Sequence, residues 1–121
     1  MAITYNIKVE GDLLRVTASG FDESLEQTQQ YSLAVIEAAV GHGCRRVLSD
    51  ERDLKYRLGT VNTYQLAQAI LEHAPRMARV ALVCHPDSEA EGEFFENVVV
   101  NRGLTLHVFT DFDEAEAWVM A

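Results

Sequence analysis

Residues 3–9 alternate without a break: Ile3, Tyr5, Ile7 and Val9 fall on one side, Thr4, Asn6 and Lys8 on the other. Successive side chains of a strand point to opposite faces, so this stretch predicts a strand with one buried face. A second run, Leu14, Val16 and Ala18 against Arg15, Thr17 and Ser19, follows across Glu10-Gly11-Asp12. Two such runs joined by a short glycine-containing turn read as an antiparallel hairpin. A chain that begins this way has one apolar sheet face to cover, and the rest of the sequence must supply the cover.

Gly20 ends the alternation, and Asp22 or Ser24 is placed to cap a helix running to about Val40. At helical spacing its inward face is Leu25, Thr28, Ser32, Val35, Ile36 and Ala39, and Gly41-His42-Gly43 ends it. Val47-Leu48 centres a third strand that closes near Asp50. A polar loop, Glu51 to Gly59, then leads to Thr60, the expected cap of a helix burying Tyr64, Ala67, Ile70, Leu71 and Ala74, with Pro75 helping to stop it. Arg79 to Cys84 is an apolar fourth strand, expected to be central, and His85-Pro86-Asp87 turns the chain. Ser88 and Glu91 have the spacing of a capping box for a third helix burying Phe94 or Phe95, Val98 and Val99, which Gly103 ends. Leu104, Leu106 and Val108 alternate with Thr105, His107 and Phe109 in a fifth strand. Thr110-Asp111 caps a last helix with Phe112, Ala115, Trp118 and Val119 on one face.

The predicted order is β-β-α-β-α-β-α-β-α, an α/β fold with a five-stranded, mostly parallel sheet and its first strand antiparallel at or near an edge. With 121 residues, 48% of them apolar, the chain is expected to form a single domain over 1–121 with a core that needs no disulfide or metal. Strands covered on both faces read as continuous apolar runs. The first, second and fifth strands alternate instead, so the helices are expected largely on one face, leaving Thr4, Asn6, Arg15, Thr17, Thr105 and His107 on a partly open second one. Val16, Val47, Val80, Leu82 and Leu106 are expected to be buried.

Nineteen acidic residues against ten basic ones give a net charge of −9, which opposes nucleic acid and anionic membrane surfaces. No stretch approaches the roughly 20 apolar residues of a membrane span, and the N-terminal residues lack the pattern of a signal peptide, so a cytoplasmic location is expected. Cys44 and Cys84 form no paired motif and are placed at opposite ends of neighbouring strands, which predicts free, largely buried thiols. No nucleophile elbow, phosphate loop or His-Glu-x-x-His motif is present, and no pair of His42, His73, His85 and His107 has ligand spacing. Cys84 and His85 are adjacent on a strand and so face apart, a poor dyad. The expectation is a chain with no enzymatic activity, no cofactor and no metal.

Ligands of open α/β sheets gather outside the carboxyl ends of the parallel strands. The segment Arg52 to Thr60 leaves one such end and runs into a helix N-terminus, where free N–H groups attract anions. Arg57 and Thr60 are therefore candidate anion ligands, with Arg52 and Tyr56 beside them and His85 at the next strand end. Against this stands an ordinary solvated loop in which Arg52 and Lys55 pair with Asp50, Glu51 and Asp53. Phe109, Phe112 and Trp118 are expected to be core rather than a ligand cage.

The hairpin, the long helix opened by Gly20, and the closing run Val108-Phe109-Thr110-Asp111-Phe112-Asp113-Glu114-Ala115-Glu116-Ala117-Trp118-Val119 resemble the SpoIIAA-like, or STAS/Sec14-like, small bacterial proteins. The resemblance implies helices gathered on one sheet face and a non-catalytic regulatory module that binds another protein or a second copy of itself. Its Sec14-like side implies the alternative of a carrier or sensor for a small anionic or lipid-like ligand, such as a lipid or nucleotide, held in a cavity beneath the second and third helices. The family's phosphorylated serine segment is replaced here by Asp50 to Thr60, where only Thr60 stands in a comparable place, so no phospho-switch is expected.

Overall fold

The computed structural model describes residues 3–21 and 24–121, and side chains at all of these except positions 60 and 73–75. The hairpin forms, but on the apolar side of its first strand only Ile3 is buried; Tyr5, Ile7 and Val9 are 38%, 36% and 41% exposed, because this strand is the outer edge of the sheet. β1 (Ile3–Glu10) and β2 (Leu13–Phe21) pair antiparallel, joined by a two-residue turn at Gly11-Asp12. Gly11 has φ +61 while, among the described residues, no non-glycine has positive φ, the pattern of a turn with glycine first, whose twist matches the flanking strands.

α1 (Leu25–Gly41) starts at Ser24, whose side chain accepts from the Gln27 N–H; Asp22, the other candidate cap, lies outside the described residues. Its buried side chains are Thr28, Tyr31, Val35 and Ala39, so Tyr31, absent from the predicted face, belongs to it. Gly43, at φ +70, turns the chain out of the helix. β3 (Arg46–Lys55), α2 (Thr60–Ile70), β4 (Arg79–Cys84), α3 (Glu89–Val100), β5 (Leu106–Phe109) and α4 (Phe112–Met120) follow. A 3-10 segment, Leu71–Arg76, carries the chain from α2 toward β4, so Pro75 lies within a helical turn.

The strands lie in the order β1-β2-β3-β4-β5, parallel from β2 onward. Each parallel crossover steps one strand in the same direction, and right-handed crossovers then put α1, α2 and α3 on one face. That face carries the larger core, including Leu14, Val16, Val35, Val47, Ala67, Val99 and Leu106. α4 follows the last strand and has no further strand to reach. It folds back over the other face, where Ala115 and Val119 pack with Leu13, Leu48, Ala81 and Val83, flanked by Phe109, Phe112 and Trp118. The second face is therefore open only around α4: Thr4, Asn6, Thr17, Thr105 and His107 are exposed, while Arg15 is partly covered and bonds Glu10 and Glu116.

Five local expectations change. β3 does not end near Asp50 but runs five residues further, because β2 is long enough to pair with it up to Phe21–Lys55. Gly59, not Thr60, caps α2, and Tyr64 is 40% exposed where Leu66 is buried. Ser88 stands at the cap of α3 but makes no side-chain capping bond, so the capping box does not form. Val80 and Leu82 are only half-buried, for a reason that lies in the next section. Among the described residues no helix is long and apolar enough to cross a membrane.

A candidate ligand cavity beneath three helices

Register between β2 and β3 slips once. Thr17 faces Asp50 and Ser19 faces Asp53, so β3 holds one extra residue opposite Ala18. Such a bulge reverses the in–out alternation beyond it. Before it, Val47, Ser49 and Glu51 point under the helices; after it, Leu54 and Tyr56 do so. Glu51 and Tyr56 are an odd number of residues apart and would face opposite sides of a regular strand. The bulge brings them to the same side.

Glu51 is 6% exposed. Tyr31, from α1, donates its hydroxyl to Glu51 Oε2 at 2.8 Å, and the Tyr56 hydroxyl donates to Oε1. Ser49 hydrogen-bonds to the Tyr31 hydroxyl. Burial, then the charge of Glu51, pushes both tyrosine hydroxyls well above their ordinary pKa. Cys84, paired with Glu51 across β3 and β4, is pushed up to about 11, by burial first and the Glu51 charge second.

These groups floor one end of a cavity of about 120 Å³ between the sheet and α1, α2 and α3. Its walls are mainly apolar: Val35 and Ile36 from α1, Leu66 and Ile70 from α2, Phe95 from α3, and Leu54, Val80, Leu82 and Leu106 from the sheet. Val80 and Leu82 are half-buried because they line this space rather than a filled core. Gly92 lets α3 approach β5: a Cβ there would lie 2.9 Å from Val108 Cγ1. Among the described residues, Glu51 and Glu91 are the charged members of the lining, with no lysine, arginine or histidine beside them.

Of the residues proposed from sequence, Tyr56 is in the cavity wall. Arg52 pairs with Asp50 at 2.7 Å and lies 5.3 Å from the Phe112 ring centroid, on the α4 face. It holds the Asp50 carboxyl below the usual carboxylate range. The Arg57 guanidinium stacks 4.5 Å over Phe21. Thr60 is the first residue of α2, with its side chain outside the described set. His85 is exposed and accepts from the Asp87 N–H at 3.0 Å. Of Arg52, Tyr56, Arg57 and His85, only Tyr56 lines the space under the helices. Tyr31, Ser49 and Glu51 were not anticipated as site residues. Among the described residues no cluster of three or more His, Cys, Asp or Glu is placed to hold a metal.

No protein family's sequence profile matches the chain, and no curated protein matches it. Solved structures do. A crystal structure of an uncharacterised DUF3478-family protein with a SpoIIAA-like fold from Shewanella loihica PV-4 superimposes with a TM-score of 0.63 at 18% identity, covering 98% of this chain and 94% of that one. An anti-sigma factor antagonist from Mycobacterium paratuberculosis gives a TM-score of 0.64 at 14% identity, covering 98% and 95%.

Proposed function

We propose that this chain, which has a SpoIIAA-like fold, is a regulatory module that acts by binding another protein and performs no chemistry of its own. What supports this reading is the likeness, over 98% of the chain, to a protein described as an anti-sigma factor antagonist. Fold by itself leaves function open, so the test is direct. Native mass spectrometry of the chain purified from its own host should reveal a protein partner in fixed stoichiometry, and the purified pair should re-form the complex. A chain that emerges without a protein partner, or that turns over a co-purified small molecule, overturns the reading.

One observation favours a second reading, a carrier or sensor of a small ligand: the apolar cavity with its polar floor, beneath the helices where such a ligand would be held. The two are compatible if an occupied cavity changes the surface that a partner meets.

A further inference from the structure

A cavity of about 120 Å³ is near the size of an apolar cavity that holds one benzene ring, roughly 150 Å³. A single ring or a short branched chain fills a space of that size. The walls supply van der Waals contact around most of such a molecule and fix little else. Selectivity must come from the floor.

That floor is made of acceptors. A carboxylate offers about four lone-pair positions and no hydrogen. The Tyr31 and Tyr56 hydroxyl hydrogens are both directed to Glu51, so what those two oxygens still present to the cavity is acceptor capacity. A ligand group that donates fits this arrangement. Among the described lining residues an anion meets two carboxylates, Glu51 and Glu91, and no cation. Burying an unpaired charge against such walls is costly.

We propose that the cavity is a binding site for a small, neutral, mostly apolar molecule of about phenol size, whose O–H or N–H donates to the oxygen cluster of Glu51, Tyr31 and Tyr56. The proposal rests on the carrier or sensor reading and narrows it, turning it away from anionic ligands.

Phenol, toluene and benzoate separate the terms. Phenol and toluene are nearly the same size and differ in the donor; benzoate replaces the donor with a charge. In calorimetric titrations of the full chain at neutral pH, phenol should bind roughly tenfold more tightly than toluene, the scale of one hydrogen bond to a charged acceptor. Benzoate should bind more weakly than both. Methyl shifts of Val35, Leu66 and Leu82 should respond to phenol, locating it. Glu51→Gln should cut phenol affinity by about tenfold and leave toluene affinity unchanged, which also shows that the cavity still forms. Leu82→Phe, which fills the space, should abolish both. Equal binding of phenol and toluene, or benzoate binding as well as phenol, overturns the donor rule while leaving a ligand-holding cavity. No binding by any of the three to the wild-type chain overturns both the rule and the carrier reading.

Discussion

Arg79 holds Trp118 twice: its guanidinium stands 5.1 Å from the indole ring centroid and donates through Nη1 to the Trp118 carbonyl at 2.5 Å. Arg46 does related work one strand away, donating to the Val119 carbonyl at 2.5 Å and the Ala121 carbonyl at 3.1 Å. The last carbonyls of a helix lack intrahelical partners and carry its negative pole, so two arginines at the starts of β3 and β4 satisfy α4 and fix its direction across the sheet.

Arg79→Ala removes the stacking and the charged hydrogen bond together and should cost about 1–2 kcal/mol. Arg79→Lys should recover part of this, since a lysine keeps the charge but not the planar face. Denaturant melts followed by the emission of the chain's single tryptophan report both variants. An Arg79→Ala chain as stable as wild type, with unchanged emission, would show that α4 is held by its apolar face alone.

Glu51 accepts from two tyrosines in a buried place, so removing it takes the acceptor from both hydroxyls and leaves Tyr31 with Ser49. Glu51→Ala should lower stability by about 2–4 kcal/mol, from about 1–3 kcal/mol for each unsatisfied buried group less some relaxation. Tyr31→Phe should cost less, about 1 kcal/mol, because Glu51 still accepts from Tyr56. The reverse ranking of these two variants in urea unfolding would contradict the role assigned to Glu51.

Alkaline pH should weaken the fold mainly through its three most strongly shifted groups. Cys84, Tyr31 and Tyr56 all have pKa values raised on folding, so above their ordinary values the unfolded chain has released protons that the native one still binds. Stability from this source is intact below pH ~9 and falls as pH rises, by up to about 1.4 kcal/mol per pH unit for each group in its window. Unfolding midpoints measured from pH 7 to 11 should decline beyond pH 9, less steeply in Tyr31→Phe. A flat profile would mean that these hydroxyls and the thiol are not perturbed.

Cys44 and Cys84 are both buried, and burial raises both thiols. Cys44 precedes β3 and Cys84 ends its neighbour β4, so they are separated by about a six-residue strand, roughly 20 Å. Both should resist a water-soluble thiol reagent in the native chain and react fully in denaturant. Fast labelling without denaturant, or loss of both thiols during purification, would overturn this placement.

The hairpin, the alternation of helices and strands and the apolar stripe of α4 were all readable, because each is a local period. The face that α4 covers was not. Phe112, Ala115, Trp118 and Val119 show that the helix has an apolar side but not where it goes. The clue lay in β4, where Ala81 and Val83 are as apolar as Val80 and Leu82, the mark of a strand covered on both faces. The floor of the cavity was hidden for another reason. Asp50-Glu51-Arg52-Asp53 has the composition of a loop, and the pairing that keeps it in the sheet comes from β2, some thirty residues earlier in the chain.

The extra residue in β3 also sets which changes of length this strand tolerates. Deleting Arg52 would leave Glu51 and Tyr56 four residues apart, so a regular strand in register with Ser19 and Gly20 would still turn Glu51, Leu54 and Tyr56 under the helices. A second deletion, with no bulge left to absorb it, would turn Leu54 and Tyr56 outward. The floor therefore carries one residue of slack, and a lineage can lose that residue without losing the site.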